Sequence, residues 1–417
     1  MDIGNKKVVP ILVGTTFVLF THLFSYTYCE VILLKRTIST ILCLCLILSC
    51  VSFSVFAENE KAIEVKAKSA VLMDASTGKV LYSLNENEKL YPASVTKIMP
   101  LLLFMRALDS GKIALEDMVE TSTVAASKGG SQIWLKEGEQ MSVDDLLKAT
   151  AIGSANDACT ALGEHISGSE EAFVKLMNDT AAQLGMKNTH FDNCTGLDDD
   201  TETHLTTAYD IALMSKELLS HERIKSYTTV WMDTLRDGDT QLVNTNRLVR
   251  FYNGTTGLKT GTTSKAGHCL SASAQRDGLH LIAVVLGAEN SNDRFEGAKA
   301  MLNWGFANYE TVTPQIDLSL IEEVRVLRGK QAYIKPVISG LGAVTLKSGQ
   351  KSQLETMVTL SGDVSAPVEK NQILGKVEMK IGSETICEYD LVSENEVQRL
   401  NLGDIMLRII KSLTKAA

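Results

Sequence analysis

Tyr91-Pro92-Ala93-Ser94-Val95-Thr96-Lys97-Ile98-Met99 decides how the rest of the chain is read. A serine and a lysine stand three residues apart as an apolar helical run begins. The run continues through Leu101, Leu102, Leu103, Met105 and Leu108 and stops at Ser110-Gly111. On a helix, residues i and i+3 share a face, so the Ser94 hydroxyl and the Lys97 amine can occupy one small site. Serine is a poor nucleophile until a base takes its proton. Lysine serves as that base when burial or a neighbouring cation lowers its pKa. A helix start also presents free backbone N–H groups that suit an oxyanion. Pro100 lies inside this run and has no evident functional account. Taken alone, the pair is most often a solvated helix start.

Two further stretches change the weighing: Ser154-Ala155-Asn156 and Lys259-Thr260-Gly261 follow in order at domain-scale separations. The segment Ala151 to Ala158 is dense in small residues, which alone reads as tight helix packing. Beside Ser94 and Lys97 it reads as a cleft wall, with Ser154 relaying a proton and Asn156 hydrogen-bonding a substrate amide. His268 to Gln275 and Leu279 to Ala288 read as strands around a turn at Arg276-Asp277-Gly278. Leu281 to Leu286 is continuously apolar, as a central strand buried on both faces requires. Lys259-Thr260-Gly261 is therefore expected on an edge strand beside it, where an extended peptide can pair. Gly261 would let a substrate approach the backbone, and Lys259 would attract a carboxylate. Arg294 opens a helix running to Trp304. A cation is disfavoured at that end, which points to a partner or ligand.

The chain has 417 residues, a hydrophobic fraction of 45% and a net charge of −9. That length allows two or three domains, and the negative charge argues against a nucleic-acid partner. Residues 1–57 do not read as a folded domain. Val8 to Tyr28 is largely apolar. A second apolar run, Ile41 to Phe56, follows Lys35-Arg36 and ends in Val55-Phe56-Ala57, the pattern of an export signal. Either the true start lies after Met1, or Val8 to Tyr28 is a membrane segment of its own. Four of the eight cysteines fall in this stretch. Cys159, Cys194, Cys269 and Cys387 are scattered, without metal-site or redox-pair spacing. No metal or cofactor is expected.

Ala67 to Asp74 and Val80 to Ser83 read as a hairpin. Residues 110–190 are mainly helical, with Ser142 and Asp145 in a capping pattern. A helix is expected near Tyr209 to Leu219. From Thr311, short alternating runs separated by Gly-containing turns read as a second, all-β domain without convergent catalytic residue types. The tail, from Leu400, places Ile405, Met406, Ile409, Ile410 and Leu413 on one helical face with basic residues beside it. It is too short and polar to span a bilayer but suits a membrane interface. The expected organisation is 1–57 export segment, 58–310 catalytic domain, 311–398 all-β domain and 399–417 membrane-associating tail.

The ordered motifs Pro92-Ala93-Ser94-Val95-Thr96-Lys97, Ser154-Ala155-Asn156-Asp157 and Gly257-Leu258-Lys259-Thr260-Gly261 carry a family likeness. Asn188-Thr189-His190-Phe191 and Asn303-Trp304-Gly305-Phe306 add to it. The chain resembles the low-molecular-mass penicillin-binding proteins, specifically serine-type D-alanyl-D-alanine carboxypeptidases of the peptidase S11 family, from about Ala67 onward. The resemblance implies an α+β fold of β-lactamase/transpeptidase type: an antiparallel sheet flanked by helices, a helical subdomain, and the site between them. It implies an exported enzyme at the outer face of the cytoplasmic membrane. Its partners would be peptidoglycan stem peptides ending in D-Ala-D-Ala and β-lactam inhibitors. By the same resemblance, Ser94 is the nucleophile, Lys97 its base, and Ser154, Asn156 and Lys259 the rest of the catalytic set. Lys259, Thr260, Gly261, Thr262 and Arg294 would bind substrate. Some family members carry histidine where this chain has Thr262, and a second cleft arginine is either Arg247 or Arg250.

A class A β-lactamase would want a Glu-x-x-Leu-Asn base between the second and third motifs, and the chain has none. A D,D-endopeptidase uses the same site, and the added β domain favours the carboxypeptidase. A non-catalytic penicillin-binding receptor conflicts with a full set of catalytic residues.

Overall fold

The computed structural model describes residues 63–415. The expected export segment lies outside them. Ser69–Asp74 (β1) and Val80–Leu84 (β2) form the expected hairpin. With Thr255–Thr263 (β3), Gly267–Arg276 (β4) and Leu279–Ala288 (β5) they make one antiparallel sheet in the order β2-β1-β5-β4-β3. The continuous apolar run of β5 is central: Val71, Met73, Ile282, Val284 and Leu286 enter one core, and Ala70, Leu72, Leu281, Ala283 and Val285 the other. Alternation along a strand buried on both faces explains the unbroken hydrophobic sequence. β3 is an edge strand as expected, but β4 separates it from β5.

Ala208–Leu219 (α4) packs on one face of the sheet, and Ile98–Asp109 (α1), Asn156–Ser167 (α2) and Glu170–Gln183 (α3) extend the same core beyond it. Phe104 of α1 stacks on Phe173 of α3, with ring centroids 5.5 Å apart. The other face is covered by Ser291–Asn308 (α5), through Phe295, Ala298, Met301 and Leu302. Ser142 caps the helix Val143–Lys148 by accepting from the Asp145 N–H, as its spacing predicts. Pro100 falls in the first turn of α1, where N–H groups lack an intrahelical acceptor, so it is accommodated there.

Tyr309–Val312 (β6) follows α5 at once and pairs with Val344–Lys347 (β7). Glu355–Leu360 (β8), Ile373–Ile381 (β9) and Glu384–Val392 (β10) form most of a four-stranded antiparallel sheet beyond it. The Thr345 hydroxyl donates to Asp74 of β1, and it lies 3.0 Å from the Thr77 hydroxyl. The all-β region is therefore bonded to the hairpin of the larger sheet. Leu402–Lys415 (α6) ends the described chain. Its Arg408 donates to the Gly329 carbonyl at 3.2 Å. Ile405, Met406, Ile409 and Ile410 are exposed. Among the described residues no helix is long and apolar enough to cross a membrane.

Candidate active site

Ser94 and Lys97 lie in a 3-10 turn, Ala93–Lys97, that leads into α1. The sequence reading placed them at the start of an α-helix. The tighter turn eclipses i and i+3, which brings the pair closer than an α-helix would. Lys97 Nζ is 2.9 Å from Ser94 Oγ. It also donates to Asn156 Oδ1 at 2.5 Å and to the Thr195 carbonyl at 3.0 Å. Lys97 is fully buried, and burial pushes its ammonium down to about 8. Desolvation penalises the charged form, so an appreciable fraction is neutral near physiological pH.

Asn156 begins α2, and its position is fixed from several directions. Its Nδ2 donates to the Gly129 carbonyl at 2.6 Å and its backbone N–H to the Ser131 carbonyl at 2.7 Å. The neighbouring Asp157 carboxylate accepts from the N–H groups of Leu135 and Ala158 at 3.0 and 2.9 Å. Asp157 thus holds the wall of the cleft, and its charge pulls the Lys97 pKa up by less than burial pushes it down. Just before α2, a π-turn over Ala149–Gly153 ends in Ser154 at φ 64°, ψ 27°. Ala93, before the nucleophile, has φ 49°. Left-handed backbone at residues bearing a Cβ costs on the order of 1–3 kcal/mol and clusters at functional sites. Here it aims Ser154 across the cleft, where Lys259 Nζ donates to its hydroxyl at 2.7 Å.

Lys259 is also buried. Desolvation first, then the charges of Lys97 and Arg294, hold it well below the usual lysine range. Thr260 donates to the Thr245 hydroxyl at 2.7 Å. Arg294 Nη1 donates to the Gly261 carbonyl at 2.9 Å and the Thr262 hydroxyl at 3.0 Å, and its Nε has no hydrogen-bond partner among the described residues. Arg294 therefore meets the site through Thr262. Arg247 stacks on Phe295 and bonds Ser291, while Arg250 stacks on Trp231 and Phe251. Neither of these arginines hydrogen-bonds a residue of the three motifs among the described residues. Gly261 is a point of close approach within the fold itself. A Cβ there would lie 2.7 Å from the Pro92 carbonyl oxygen and 2.9 Å from the Ser94 nitrogen. Its missing side chain lets β3 lie against the turn that carries the nucleophile.

The three sequence motifs thus converge on one cleft. Two buried lysines each engage a serine hydroxyl. Among the described residues, no carboxylate hydrogen-bonds Lys97, Lys259 or Arg294. Thr195, which supplies a carbonyl to Lys97, and Thr245, which holds Thr260, escaped the sequence reading. No local spacing marks either one.

The family model of D-alanyl-D-alanine carboxypeptidases, peptidase S11, matches residues 55–290. The chain belongs to this family. The model of the penicillin-binding protein 5 C-terminal domain matches residues 309–399. The D-alanyl-D-alanine carboxypeptidase DacF of Bacillus subtilis (strain 168) is 42% identical over 390 residues, spanning 92% of this chain and all of the relative. The crystal structure of penicillin-binding protein 5 from Haemophilus influenzae superposes with a TM-score of 0.74 at 32% identity, covering 81% of this chain and 98% of that one. Penicillin-binding protein D2 from Listeria monocytogenes, solved in its ampicillin-bound form, matches with a TM-score of 0.54 at 30% identity, over 58% of this chain and 99% of that one. The chain is a serine-type D-alanyl-D-alanine carboxypeptidase with a β-lactamase/transpeptidase-type catalytic fold and an all-β C-terminal region.

Proposed function

We propose that the protein hydrolyses the bond between the two terminal D-alanines of peptidoglycan stem peptides through an acyl-enzyme on Ser94. Neutral Lys97 takes the Ser94 proton as Oγ attacks the carbonyl carbon. Backbone N–H groups of Ser94 and Thr262 stabilise the oxyanion. Ser154, hydrogen-bonded to Lys259, hands its proton to the leaving amine and regains one from the Lys97 ammonium, so free D-alanine departs and Lys97 is neutral again. Asn156 orients Lys97 and hydrogen-bonds the substrate amide. Water then cleaves the ester, with Lys97 again as base.

The observation that carries this reading is the pair of buried lysines, each on a serine hydroxyl, with no carboxylate hydrogen-bonded to either among the described residues. A substrate whose chain ends in a carboxylate supplies the missing anion. Bound near Lys259, Thr260 and Thr262, it would raise the Lys259 pKa and restore its charge. Arg294 would act through Thr262. β-Lactams would acylate Ser94 as substrate mimics. The test is intact-protein and peptide mass spectrometry after exposure to benzylpenicillin. One ring-opened penicillin on the peptide containing Ser94 supports the reading, and a folded protein that takes up none contradicts it.

The same proposal places the enzyme outside the cytoplasm, at the outer face of the membrane that bears its substrate. The catalytic part runs over 58–310, the all-β spacer over 311–398 and the tail over 399–417. The exposed apolar residues of α6, with Arg408 at their flank, suit an anionic interface. Full-length protein should sediment with anionic vesicles, and a chain ending at Leu400 should not. Equal sedimentation of both would remove the tail from the account.

A further inference from the structure

His204 takes no part in the chemistry above, yet it is fully buried next to it. Its Nδ1 lies 3.0 Å from the Asp192 backbone nitrogen. A backbone N–H can only donate, so Nδ1 must be the unprotonated nitrogen. The ring proton is then on Nε2, 2.9 Å from the Thr96 hydroxyl oxygen, to which it donates. Thr96 sits between Ser94 and Lys97 in the 3-10 turn.

The other side of the ring governs the loop that follows Asp192. Asn193 Oδ1 accepts from the N–H groups of Thr195 and Gly196 at 3.1 and 2.7 Å. This folds the loop so that the Thr195 carbonyl reaches Lys97 Nζ at 3.0 Å. Gly196 fits against the same turn: a Cβ on it would lie 1.9 Å from the Ala93 carbonyl oxygen and 2.8 Å from Thr96 Oγ1. One neutral imidazole therefore ties the turn carrying nucleophile and base to the loop carrying the base's carbonyl acceptor.

We propose that His204 is a positioning residue for acyl transfer, holding the Thr195 carbonyl and the Ser94–Lys97 turn in register through Asp192 and Thr96. The inference rests on the assignment of Ser94 and Lys97 above. The ring stays neutral because burial pushes it down to about 4. The titratable groups facing it are Asp192, which pulls the pKa up, and His190, which pushes it down. Phe191 packs edge-on against it, with ring centroids 5.7 Å apart. Protonation at Nδ1 would set two donors face to face at Asp192.

The experiment compares acylation rate by a fluorescent penicillin, and kcat and KM for D-alanine release, across His204→Ala, His204→Gln, Thr96→Val and the double variant His204→Ala/Thr96→Val. Thermal melts accompany each. A displacement of about 1 Å at a reacting pair costs up to about 100-fold. The expected result is a loss of about 10- to 100-fold in kcat for His204→Ala, with KM little changed. Thr96→Val should fall by a similar factor. The double variant should be no worse than His204→Ala, because one link has been cut twice. His204→Gln keeps a donor for Thr96 and should recover much of the rate. Wild-type acylation by a folded His204→Ala would overturn the proposal, as would losses that multiply in the double variant. So would a Gln variant as slow as Ala at equal stability. If His204→Ala does not fold, an unimpaired Thr96→Val overturns it. Absence of acylation in the wild type would instead refute the underlying site.

Discussion

Acylation should rise with pH through the titration of Lys97. Burial holds this lysine at about 8 in the fold, against 10.5 for the free side chain. Only the neutral amine can accept the Ser94 proton. Neutral lysine is about 1% of the total at pH 6 and about 90% at pH 9, so the rate should climb about 90-fold between them and flatten above pH 8. The depressed pKa disfavours the protonated form in the fold by about 3 kcal/mol, and stability should recover by that amount as pH rises from about 8 to about 10.5. The assay is the second-order rate of labelling by a fluorescent penicillin at fixed ionic strength. Lys97→Arg provides the reference. It stays charged, and its residual acylation should fall by about 10²–10⁴-fold and lose the limb. A flat wild-type profile, or a limb near pH 10, would show that Lys97 is not the base or is not desolvated, and the reasoning would fail.

Two more outcomes follow from buried groups. His204 and His280 are each held neutral by burial, down to about 4 from an ordinary 6.5. The unfolded chain takes up protons across that interval and the native one does not, so stability is full above about 6.5 and falls by up to about 3 kcal/mol per histidine as pH drops to 4. Urea midpoints at pH 7.5 and pH 4.5 measure this, and equal midpoints would contradict it. Gly196 has φ +85° and no room for a Cβ. Gly196→Ala should cost at least about 2 kcal/mol in stability and slow acylation, and a melt matching the wild type would refute the stated packing.

The parts of this molecule legible in its sequence were those whose signal is local. Ser94 and Lys97 stand one turn apart, and β5 declares its double burial in six consecutive apolar residues. What the sequence could not show depends on contacts between distant segments. Thr195 reaches Lys97 across 98 residues, Thr245 meets Thr260 across 15, and His204 meets Thr96 across 108. Cys159 and Cys194, scattered in sequence, lie together, with the Cys159 thiol 3.4 Å from the Cys194 carbonyl oxygen. The 3-10 turn at Ser94 and the π-turn before Ser154 were also hidden. Tertiary packing selects these backbones over the helix that propensity alone would give. The motif marks Gly261 as a close-approach position but not that the nucleophile's own turn lies against it.

The central claim is tested most directly by release of free D-alanine from a synthetic peptide ending in D-Ala-D-Ala, measured for wild type and Ser94→Ala side by side. The wild type should release D-alanine steadily, and the variant none above background. No release by folded wild-type protein, or equal release by both, would contradict it.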